Sequence, residues 1–138
     1  MNTHTRTVKY RTPAGENTVY TYTFDVETDQ NIEVPIAIGA SEMEITVSIV
    51  RTNVRGMCIA CTKTAGQDSE KFAELTVKTN STTVPGDTFI ITATNGLAWD
   101  LGDPAAIPLA ADVTKIYVSN TGTAIAELSV RLGLDSTP

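Results

Sequence analysis

The chain has 138 residues, enough for one domain with its own core and no need of disulfide or metal staples. A net charge of −6 and a pI near 4.6 exclude the basic stripe that nucleic-acid binding requires and disfavour adsorption to an anionic membrane. With 41% hydrophobic and 19% charged residues the composition is that of a folded chain, and its 23 threonines suit the wet face of a pleated sheet.

The N-terminus, Met1-Asn2-Thr3-His4-Thr5-Arg6, lacks the apolar core of a secretory signal, and no later window has the roughly 18 apolar residues of a membrane helix. The expectation is a chain made in a cytoplasm and not secreted, with residues 1–5 a flexible arm. Residues 5–11 read as a first strand, with Val8 and Tyr10 on one face, and Pro13-Ala14-Gly15-Glu16-Asn17 as a turn. From 18 to 26 the alternation is clean: Tyr20, Tyr22, Phe24 and Val26 on one side, Thr21, Thr23 and Asp25 on the other. Thr28-Asp29-Gln30-Asn31 is turn-like. Ile32, Val34, Ile36 and Ile38 alternate next, and Pro35, which lacks a ladder donor, places that strand at an edge or a bulge.

After the Gly39-Ala40-Ser41 break, Met43, Ile45, Val47 and Ile49 share one face. Residues 55–62 form another strand, which carries Cys58 and Cys61. Strand residues three apart face opposite sides about 10 Å from each other, so these thiols are read as unbridged and structural. Residues 71–75 allow one helical turn before a strand that starts near Ala73. Residues 88–94 form a strand that ends at the hairpin signal Asn95-Gly96. Residues 97–111 are the longest irregular stretch, and 112–119 and 123–135 read as a hairpin joined by Asn120-Thr121-Gly122. Eight or nine short antiparallel strands without helical crossovers define an all-β sandwich, jelly-roll or Ig-like, in a single domain over 1–138.

No catalytic constellation is visible. The one histidine, His4, falls in the expected arm, and no phosphate-binding glycine motif occurs. One C-x-x-C and one histidine do not supply four zinc ligands. Asp25 and Glu27 read as a solvated strand face. Asp100 and Asp103 read as turn builders, two carboxylates being few for Ca²⁺. The reading is a non-enzyme with no cofactor and no metal site. Trp99 and the irregular apolar run containing Ile107, Pro108 and Leu109 are the candidate partner interface, because such a run is covered by its own domain or by a partner.

The C-terminal third contains Trp99-Asp100-Leu101-Gly102, Ala111-Asp112-Val113-Thr114-Lys115-Ile116-Tyr117-Val118-Ser119-Asn120 and Leu128-Ser129-Val130-Arg131-Leu132-Gly133-Leu134-Asp135. In texture it resembles the small Thr-rich β-sandwich structural proteins of tailed bacteriophage virions. These include capsid decoration (cement) proteins and small tail or head-tail connector components. The resemblance implies a virion protein, a dimer or trimer, that binds a viral capsid or tail protein. A carbohydrate-binding module that uses Trp99 to stack on a glycan is the alternative.

Overall fold

A computed structural model describes residues 2–135. Ten strands run in chain order: β1 (Asn2–Thr12), β2 (Gly15–Val26), β3 (Thr28–Ile36), β4 (Met43–Ile49), β5 (Val54–Lys63), β6 (Glu74–Thr79), β7 (Thr88–Thr92), β8 (Leu97–Asp100), β9 (Val113–Asn120) and β10 (Ala126–Leu134). Strands β3–β10 form two four-stranded antiparallel sheets, ordered β3-β10-β5-β8 and β4-β9-β6-β7. Within these eight strands only the β6–β7 connection stays in one sheet. Every other connection changes sheet, which is the jelly-roll winding of two Greek keys.

Period-2 patterning explains the core. Along β10, Ala126, Leu128, Val130 and Leu132 are buried while Glu127 and Arg131 face out. They pack in one cluster with Leu75 and Val77 of β6 and Val113, Ile116 and Val118 of β9. Burying each Leu or Val contributes roughly 1.5–3 kcal/mol relative to exposure. As expected from Pro35, β3 lies at a sheet edge.

Several expectations are corrected. The 112–135 stretch is not a hairpin, because β9 and β10 belong to opposite sheets. Both strands are apolar on one side only, and placing them in facing sheets buries both sides at once. Asn120 holds this arch: its Nδ2 donates to the carbonyls of Ile36 (3.1 Å) and Ala124 (2.9 Å), and its Oδ1 accepts from the Gly122 amide (3.0 Å). Asn95-Gly96 likewise closes a tight turn against Thr92, after which the chain crosses to the other sheet. The first four residues of the expected irregular stretch form β8, paired with β5. The polar run from Thr28 opens β3 instead of forming a turn. Residues 71–73 are not helical, and a short 3-10 turn lies instead at Arg51–Asn53.

The N-terminal expectation changes most. Met1 lies outside the described residues, but the next four residues are not a loose arm. They belong to a long β1–β2 ribbon in which Asn2 pairs with Val26, Thr5 with Thr23 and Thr12 with Gly15.

Candidate functional site

The ribbon has two faces of different chemistry. Thr3, Thr5, Thr7, Thr21 and Thr23 share the outer face, where Thr5 and Thr7 lie against Thr23 and Thr21. His4, Arg6, Tyr22 and Phe24 share the other face. That second face lies on the outer surface of the β3-β10-β5-β8 sheet.

The sheet is shaped to receive it. Asp29, Gly133, Gly56 and Asp100 form one row across β3, β10, β5 and β8. A Cβ built on Gly133 would sit 2.9 Å from Val26 Cγ1 and 3.0 Å from His4 Cε1, and one on Gly56 would strike the Phe24 ring. The two glycines thus make a shallow seat that no other residue would leave open. Phe24 contacts Tyr22 with ring centroids 5.6 Å apart and His4 at 5.4 Å, and Val26 is fully buried.

Polar contacts pin both ends of the seat. The His4 ring meets the Asp29 carboxylate on β3. Across the sheet, Arg6 donates to Asp103 and, at 3.3 Å, to Asp100. Asp100 is only 3% exposed and also accepts from the Gly102 amide at 2.8 Å; Asp103 accepts from the Asp100 amide at 3.0 Å. Partial burial opposes the charge on Arg6, but its hydrogen bonds to Asp103 and Asp100 outweigh that and raise the guanidinium pKa above its ordinary value. The two aspartates read as turn builders therefore also anchor the ribbon. Among the described residues, no group of three or more His, Cys, Asp or Glu could hold a metal ion.

Beyond the seat the ribbon is bare. Every residue from 9 to 21 is exposed, with Tyr10 at 67% and Val19 at 61%. The register shifts between Val8 and Lys9, so a bulge marks where the bare limb begins. Beside the seated part runs a cleft of about 550 Å³, lined by residues 3–7 of β1 and by Asn31, Arg131, Cys58, Ala98 and Trp99.

The four candidate interface residues sit close to the core. Leu109 is buried in it, and Trp99 and Ile107 pack against it from half-buried positions. The Trp99 indole donates to the Ala105 carbonyl at 3.0 Å, and Pro108 is half-buried beside Leu109. Arg51 ties this segment down through the Leu109 carbonyl. Trp99 alone of the four also borders the cleft. Cys58 is exposed on the cleft floor and Cys61 is buried, both free on β5, as the strand argument expects. Burial, and next the charge of Glu74, push the Cys61 thiol up.

The sequence reading missed the ribbon as a site. Its signal was the 18–26 alternation, which places three aromatics and Val26 on one face, together with glycines at 56 and 133 inside otherwise regular strands. No protein-family model, curated protein or solved structure matches this chain.

Proposed function

We propose that this chain is a non-enzymatic structural protein of a virus particle that attaches to a protein lattice, as a capsid decoration (cement) protein does. A tail or head-tail connector role is the variant of the same reading. The observation that carries it is the bare limb of the ribbon, residues 9–21, which presents Tyr10, Val19 and Tyr20 to solvent from a rigidly seated base. Exposed aromatic and aliphatic side chains on a preorganised element are the features of a protein-binding surface. The jelly roll adds support by analogy, since capsid domains use it, although a fold by itself does not assign function.

Co-sedimentation tests the reading. Purified chain is mixed with shells or tails assembled from the capsid or tail proteins encoded beside its gene. The expected result is saturable pelleting with the particles. Absence of the chain from every pellet contradicts the proposal.

The jelly roll is also a lectin fold, and Trp99 borders the cleft, so a glycan-binding reading has one specific observation behind it. Binding on a glycan array that is lost in Trp99→Ala would favour it over the lattice reading.

A further inference from the structure

We propose that the cleft beside β1 is a strand-addition groove, and that its occupant is the bare ribbon limb of a second copy of this chain. The inference rests on the structural-protein reading and names the contact through which copies join.

Successive strand residues point to opposite faces. A cleft lined by five consecutive residues, 3–7, therefore follows the edge of β1, and Phe24, Gly56 and Asp100 extend its lining beneath the sheet-facing side of the ribbon. The other edge of β1 is paired with β2 throughout, so this edge offers the remaining backbone donors and acceptors. The edge contains no proline, unlike the β3 edge, where Pro35, Asp29 and Glu33 discourage pairing. The floor is the next row of the sheet, Asn31, Arg131, Cys58 and Ala98, with Trp99 beside it. Ala98 and Cys58 are small, which leaves room for side chains from an added strand.

Three features point to a second copy. The groove edge is five residues long, about 17 Å of extended chain. Residues 8–12 of β1, from half-buried Val8 into the bare limb, match that length and carry Val8 and Tyr10 on one face for the floor. Charge separates the same two regions. Residues 1–24 hold Arg6, Lys9 and Arg11 against Glu16, a net +2, whereas residues 25–138 hold the other 7 basic and 15 acidic residues, a net −8. The groove lining sets Asp29 and Asp100 beside Arg6 and Arg131, so the attraction for Lys9 and Arg11 of an incoming limb comes from the acidic body beneath and not from the groove edge, which belongs to the basic ribbon. Antiparallel pairing of two β1 edges seats residues 8–12 of each copy on residues 3–7 of the other and closes a two-fold dimer, whereas parallel pairing is heterologous and repeats into a ring or a filament.

Cys58 on the floor reports occupancy. In the full-length chain, Cys58 alkylation by iodoacetamide is expected to be at least about tenfold slower at high protein concentration than in a variant in which Asn-Gly replaces residues 9–19. A second variant, Tyr10→Cys, is expected to form a disulfide between copies under mild oxidation, and Tyr10→Cys with Cys58→Ser is expected to form none. Equal alkylation rates, or a covalent species that persists after Cys58→Ser, overturn the proposal. Protection of Cys58 only when viral shells are added also overturns it, assigning the groove to the lattice protein and leaving the structural reading intact. Failure to pellet with shells while Cys58 protection remains contradicts the lattice reading alone.

Discussion

The ring of Phe24 fills the space that a side chain at residue 56 would need: a Cβ on Gly56 would lie 2.9 Å from Cε2 and closer still to Cζ. One missing side chain on β5 thus decides whether the N-terminal ribbon can lie on the sheet at all. Gly56→Val should lift the ribbon or distort the strand, costing about 1–3 kcal/mol by overpacking. Urea denaturation checks the magnitude. Hydrogen exchange checks the place: protection should fall at the β1 amides and hold in β6 and β9.

Arg6→Gln tests the other anchor. It leaves Asp100, almost fully buried, without its cationic partner. Arg6 keeps about a quarter of its side-chain exposure, so the loss is discounted to roughly 1–3 kcal/mol. Trypsin cleavage after Lys9 and Arg11 should change little, since those sites are already exposed, whereas chymotrypsin cleavage after Tyr22 and Phe24 at the base of the ribbon should rise.

Asn120→Ala removes the side chain that bridges Ile36 and Ala124 inside the β9–β10 arch. Two carbonyls lose a donor in a buried setting, at a cost of about 1–3 kcal/mol for each group left unsatisfied. Asn120→Asp should be no better, because a carboxylate offers those carbonyls no N–H. Thermal unfolding of both variants measures the loss.

Acid stability carries a signature of Glu44. Lys115 donates to it at 2.8 Å and holds its carboxyl below the ordinary value of 4.5. A depressed carboxyl contributes stability above its unfolded value, and that contribution fades as pH falls through the folded one. Glu44→Gln should therefore flatten the decline of stability below about pH 4.5 and leave its slope unchanged near pH 7. Denaturant midpoints across that range decide it. Both groups are half-exposed, so the effect should shrink in high salt.

The fold was legible where one face of a strand is buried and alternation shows through. Residues 123–135 read as a strand from Leu128, Val130 and Leu132 and contain β10, and Met43, Ile45, Val47 and Ile49 mark out β4. The partner of each strand was not legible. Alternation says that Val118 and Leu128 face a core, but not that they face it from opposite sheets. β8 was hidden because Leu97-Ala98-Trp99-Asp100 is too short to show a period. Polar residues opening β3 looked like a turn because Asp29 and Asn31 face the ribbon and the cleft, not the core. The site was least legible, since Gly56, Gly133, His4 and Phe24 are brought together only by the winding of the roll. Distance along the chain therefore made His4 look like a tail residue.

The central claim is that the bare limb of the ribbon joins this protein to others. Light scattering on the full-length chain and on the variant with Asn-Gly in place of residues 9–19 tests it most directly. The full-length chain should rise with concentration to multiples of its 14.7 kDa mass while the shortened chain stays a monomer. A full-length chain that remains monomeric at every concentration, or a shortened chain that assembles equally well, contradicts it.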